Sequence, residues 1–138
     1  MNARGLRNKN PGNIRKGDKW EGLAKEQTDP SFARFTDMHY GCRALIKTLR
    51  TYVEKHKLRT VREIISRWAP PSENDTESYI RSVSWYLSVE PDERLDFKFH
   101  PFLYTRLAMA IARQENGTEA ELISYDTWKK GAVLAGLA

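Results

Sequence analysis

A glutamate stands where the apolar stripe of a helix would otherwise continue. Leu103, Leu107, Ala110 and Ile111 fall on one helical face, and the next position on that face is Glu115. Pro101 suits the start of this helix and Asn116-Gly117 its end, so the spacing predicts a helix over 101–115. A carboxyl group with apolar neighbours, at the negative end of a helix dipole, is favoured in its neutral form. In that state it can protonate a glycosidic oxygen, which makes Glu115 the candidate general acid/base. The plain structural alternative is a solvated helix-end glutamate with its head turned to water.

Inverting hydrolysis would need a second carboxylate, about 6.5–9.5 Å away, to activate water. Glu73, Glu21 and Asp18 are the candidates; Asp18 and Glu21 sit among Lys16, Lys19 and Lys25 and can equally just pair with them. Trp20, Phe35, Trp68 and Tyr79 can stack on sugar faces or serve the core. Other chemistries have little support. His39, His56 and His100 lack metal-ligand spacing, and neither a phosphate-binding loop nor a Gly-x-Ser-x-Gly turn occurs. No metal and no cofactor is expected. The single cysteine, Cys42, excludes an internal disulfide and lies on an apolar helical stripe, as a small core residue would.

These residues need a frame. The 138 residues suit one domain, and a 40% hydrophobic, 30% charged composition describes a soluble globular chain. No apolar run is long enough for a transmembrane helix, and the N-terminus has no signal-peptide core. Synthesis in a reducing cytoplasm is expected, and the protein is expected to be a monomer. The net charge of +5 is uneven: residues 1–70 hold 16 Lys and Arg against 7 Asp and Glu. A basic half suits a polyanion, whether nucleic acid, anionic lipid or an acidic cell wall.

Residues 1–36 are turn-rich. Asn10-Pro11-Gly12-Asn13 is a turn, and 14–16 and 20–23 flank Gly17-Asp18-Lys19 as a short hairpin would. Residues 32–35 offer a third strand. From Asp37, a plausible helix cap, the pattern is helical, with a stripe of Cys42, Leu45, Ile46, Leu49, Tyr52 and Val53. Thr60 to Glu63 reads as a capping box, Ala69-Pro70-Pro71 as a stop, 74–77 as a new start, 118–121 as another capping box and 128–137 as a last helix. The expected fold is mainly α, with an α+β character: a small β-hairpin lobe over 1–36 and a helical lobe over 37–138.

Three segments carry a resemblance. Ala110-Ile111-Ala112-Arg113-Gln114-Glu115-Asn116-Gly117 resembles the catalytic-glutamate helix of lysozyme-superfamily enzymes, notably soluble lytic transglycosylases, with Asn116 where those usually have Ser. Asn10 to Arg15, Trp20, Gly22, Phe32, Phe35 and Tyr40 to Leu45 resemble the Asn-rich turn and aromatic hairpin of peptidoglycan glucosaminidases. Trp68 to Val83 resembles the tyrosine loop of lytic transglycosylases. In those enzymes the glutamate helix comes first; here it comes last, which implies a circular permutation of a lysozyme-like domain. The run from Arg4 to Arg15 also resembles a group of phage-encoded proteins. The resemblance implies peptidoglycan cleavage by a muramidase or lytic transglycosylase, as an endolysin or virion-associated lysin. The protein would reach the wall after release or as part of a virion. It also implies roles for Asn13 in buttressing the catalytic helix, and for Trp20, Trp68, Asn74, Thr76 and Tyr79 in lining the cleft. A one-carboxyl route, in which the 6-hydroxyl of muramic acid closes a ring, and a two-carboxylate hydrolysis both remain open. Two rivals stand beside this reading: nucleic-acid binding through the basic half, and a catalytically idle particle protein that keeps the fold.

Overall fold

The computed structural model describes residues 2–137. Six α-helices occur in chain order: α1 (Arg4–Arg7), α2 (Met38–Glu54), α3 (Val61–Trp68), α4 (Thr76–Leu87), α5 (Phe102–Asn116) and α6 (Tyr125–Leu134). A 3-10 helix, Gly117–Leu122, links α5 to α6. Local chemistry sets most of the boundaries. The Thr60 side chain accepts from the Glu63 N–H while Glu63 reaches back to the Thr60 N–H, which completes the capping box of α3. Asp75 caps α4 and Ser124 caps α6 through their side chains. Asp37 precedes α2 but its side chain makes no capping bond. The capping box expected over 118–121 is absent. Glu119 instead accepts the backbone N–H groups of Asn2 and Ala3, tying the start of the chain to the 3-10 helix.

Helix α5 runs through the middle and packs against α1, α2, α4, α6 and the 3-10 helix. Its Leu107 and Ile111 are fully buried beside Leu45 and Leu49 of α2, Ile64 of α3 and Ile80 of α4. Each such side chain contributes roughly 1.5–3 kcal/mol on burial. Gly131 lets α6 lie close on α2, since a Cβ there would stand 2.7 Å from Cys42 Cβ. Cys42 is completely buried, and burial pushes its thiol well above the usual range.

The expected β lobe is not formed: among the described residues there is no strand, only isolated bridges. The first lobe is an irregular wrap. Residues 14–16 bond not to 20–23 but to 31–33, through Ala33 N–H to Ile14 O at 2.9 Å and Lys16 N–H to Ser31 O at 3.0 Å. Residues 22–24 pair with 34–36 instead. The physical reason is that side chains take the places a partner strand would occupy. Gln27 accepts the Arg34 N–H and donates to Ala24 O and Arg34 O. Asp29 accepts from Arg4 twice, from Asn8, and from the N–H groups of Ser31 and Phe32. The Arg4 guanidinium and those backbone donors hold the Asp29 carboxyl well below the usual carboxylate range. Phe35, Ala33 and Ala44 form a second small core under this wrap.

Buried asparagines fasten the wrap to the helices. Asn10, with no exposed surface, donates to Ile14 O at 2.9 Å and Ala33 O at 2.8 Å and accepts from Ile14 N–H at 2.9 Å. Asn116 at the end of α5 donates to Pro11 O at 2.8 Å and Ala112 O at 3.0 Å. Gly5 lies against the same amides; a Cβ there would come within 2.4 Å of Asn116 Oδ1.

Candidate active site

The Asn10–Asn13 turn and the end of α5 meet at a carboxylate. Asn13, held at φ 49°, donates from Nδ2 to Glu115 Oε1 at 3.0 Å. The Tyr79 hydroxyl of α4 donates to Glu115 Oε2 at 2.8 Å. Trp68 Nε1 of α3 donates to the same Tyr79 oxygen at 3.0 Å. An indole N–H is only a donor, so it occupies a lone pair of the Tyr79 oxygen and leaves the hydroxyl proton for Glu115. Tyr79 is 4% exposed, and burial, then the Glu115 charge, push its phenol far above the usual range; it stays a donor. Glu115 itself is half-buried, at the edge of the apolar stripe rather than inside it.

These groups open onto a cleft of about 490 Å3. Glu115, Asn13, Trp20, Trp68, Asn74, Glu73 and Asp18 all line it. Four of the expected residues do not. Glu21 faces away, in an ion pair with Arg43 at 3.4 Å. Thr76 is buried and donates to Ala69 O at 2.6 Å, closing the loop between α3 and α4. Tyr79 lies beneath Glu115 as its support rather than in the wall, and Phe35 is a core residue at 1% exposure. Of the four aromatics expected either to stack on sugars or to serve the core, Trp20 and Trp68 line the cleft, both half-buried in its wall.

The cleft also contains residues that the sequence pattern assigned elsewhere. Tyr52 belongs to the apolar stripe of α2, yet it lines the cleft with Thr48 one turn earlier, and the Arg67 guanidinium lies 5.2 Å from its ring centroid. Their i,i+4 spacing on the stripe edge was the available signal. Arg15, Lys16 and Phe32 complete the wall. Among the described residues no cluster of three or more His, Cys, Asp or Glu is arranged to hold a metal ion.

Removing the Tyr79 hydroxyl tests the support. Tyr79→Phe should lower Tm by several degrees, because it leaves Glu115 Oε2 without this donor and Trp68 Nε1 without its acceptor, and a lost hydrogen bond of this kind costs roughly 1–3 kcal/mol. An unchanged Tm would remove Tyr79 from the support of Glu115.

The fold and cleft define an all-helical protein with one braced carboxyl group on the floor of an aromatic-walled groove. The chain is 39% identical over 133 residues to Protein P5 of Pseudoalteromonas phage PM2, spanning 94% of this chain and 79% of that protein. It belongs to that family of bacteriophage proteins. No family model matches the chain. The expected membership of the lysozyme superfamily is overturned by these findings. The lysozyme-like, circularly permuted description falls with it, because the β lobe that carried the hairpin part of the resemblance is not formed. Among the described residues no helix is long and apolar enough to cross a membrane.

Proposed function

We propose that this phage protein cleaves the glycan strands of peptidoglycan, with Glu115 as general acid and then base. The observation that carries the reading is the bracing of Glu115 by Asn13 and Tyr79 inside a cleft walled by Trp20 and Trp68. A rigid helix end and two donors fix the carboxyl group, and indole faces suit sugar rings. Glu115 would protonate the glycosidic oxygen as the bond to the anomeric carbon breaks. It would then take the proton of the muramic acid 6-hydroxyl as that oxygen closes onto the anomeric carbon. This route needs Glu115 alone. Hydrolysis would add a base, for which Asp18 and Glu73 are the carboxylates in the cleft.

Three carboxylates, Asp18, Glu73 and Glu115, line the cleft against two cations, Arg15 and Lys16. That balance favours a sugar ring over a phosphate backbone as occupant of this groove. The delivery expected is that of a lysin, acting after release or from the particle.

Mass spectrometry of digested peptidoglycan separates the routes. The expected products carry 1,6-anhydro ends, and Asp18→Asn and Glu73→Gln keep most of the activity. Products with reducing muramic acid ends, together with loss of activity in either variant, would make the enzyme a hydrolase. Reducing glucosamine ends would move the cut to the other bond. A zymogram with no clearing on any purified wall would end the proposal and leave the idle particle protein.

A further inference from the structure

A second cavity, of about 710 Å3, lies on the far side of α2 from the cleft. Thr48 and Tyr52 face the cleft, while Arg50 and Glu54, two positions further on, line the second cavity; a two-residue step turns a helix by roughly 200°. Arg50, Lys57, Arg59, Arg94 and Lys98 converge there with only Glu54 and Asp96 as counter-charges. Both carboxylates are already engaged. Glu54 pairs with Arg50 at 3.0 Å, and Asp96 accepts the Phe99 N–H at 3.1 Å. Arg59 donates to the carbonyls of Val53 at 2.7 Å and Leu58 at 3.0 Å, and Lys57 to that of Glu54 at 2.8 Å. The last turn of α2 and the loop after it therefore hold these two cations in place without neutralising them. Among the described residues, Lys57, Arg59, Arg94 and Lys98 form no ion pair.

Five cations against two carboxylates leave an excess of three positive charges around one concavity, a strong local field that an anion would relieve. Beside them Phe99 is 74% exposed, with Lys98 Nζ 5.9 Å from its ring centroid. Phe97 and Tyr104 pack at 4.6 Å between ring centroids beneath this corner, which gives the loop a rigid base. Burial and the nearby Glu54 push the Tyr104 hydroxyl up to about 12, so it remains a donor. Phe99 stands outside the cavity wall, next in the chain to Lys98, so phosphate groups would meet the cations in the cavity and a planar base the ring beside it; cations and an exposed aromatic side by side are the recurring design for single strands.

We propose that this cavity binds the backbone of a single-stranded nucleic acid, with a base stacked on Phe99. The site is independent of the cleft and does not rest on the glycan-cleaving reading. Fluorescence anisotropy of a labelled oligothymidylate, titrated against salt with the full chain, tests it. The wild-type protein should bind at low salt, with an affinity that falls steeply as salt rises. Arg94→Gln/Lys98→Gln should lower the slope of log affinity against log salt by about 1.4, since each lost phosphate contact on a single strand contributes about 0.7. Phe99→Ala should weaken binding about tenfold with the slope unchanged. Arg15→Gln/Lys16→Gln, in the cleft, should bind as the wild type does. All these positions are exposed, and circular dichroism checks that each variant folds. Absence of binding at low salt overturns the proposal. So does binding that survives Arg94→Gln/Lys98→Gln or falls as much with the cleft variant. Equal competition by inorganic polyphosphate, with no effect of Phe99→Ala, would assign the cavity to phosphate chains without bases and overturn it too.

Discussion

Glu115→Gln is expected to abolish cell-wall clearance while the protein stays folded. The amide has nearly the same shape as the carboxyl group and can keep one of the bonds from Asn13 and Tyr79. Losing the other, at a half-buried position, should cost stability no more than about 1–2 kcal/mol. The proposed chemistry loses far more. An amide cannot supply the proton that the leaving oxygen needs, nor take one back from the attacking hydroxyl. A positioned acid/base contributes roughly 10²–10⁴-fold, and turbidity clearance should fall by that factor. Thermal denaturation of the same preparation separates loss of chemistry from loss of fold. Wild-type clearance by a folded Glu115→Gln protein would sink the assignment of Glu115.

Gly41→Ala should damage fold and activity together. Gly41 lies on α2 where the helix crosses the Asn10–Asn13 turn. A Cβ there would stand 2.0 Å from Lys9 O and 2.8 Å from Pro11 Cδ. The first of these is backbone, so no side-chain rotation relieves it. Either the turn lifts from α2 or the helix shifts, and overpacking of this kind costs typically 1–3 kcal/mol and sometimes more. At the upper end, Tm should drop by about 10 °C. The turn carries Asn13, and Pro11 O is held by Asn116 beside Glu115, so the displacement reaches the carboxylate. Activity measured well below the new Tm should therefore also fall. A variant with wild-type Tm and wild-type clearance would show that the turn is not seated on α2 as described.

Periodicity and caps determined α2 to α5, whereas α1 was not foreseen and the last helix runs over Tyr125–Leu134 rather than 128–137. The stripe of α5, the capping box of α3 and the stop at Pro70 are local features, written in residues a few positions apart. Glu115 was legible for the same reason, because its place on a helical face follows from counting along one helix. The first lobe was not legible. Alternation suggested a hairpin, but Gln27 and Asp29 take the backbone groups a strand would have paired, and no local pattern announces such a substitution. The roles of Tyr79 and Trp68 also depended on packing. Both read as aromatics that could meet a sugar or serve the core, whereas the packing of α3, α4 and α5 turns Tyr79 inward as a donor to Glu115 and leaves Trp68 to bond it from the cleft wall. Likewise Glu21 and Asp18 looked alike in the sequence. The path of the wrap sends Glu21 to Arg43 and Asp18 to the cleft. Spacing along one helix decides which residues share its face, but which faces meet across 102 residues, as those of Asn13 and Glu115 do, is decided only when the helices pack.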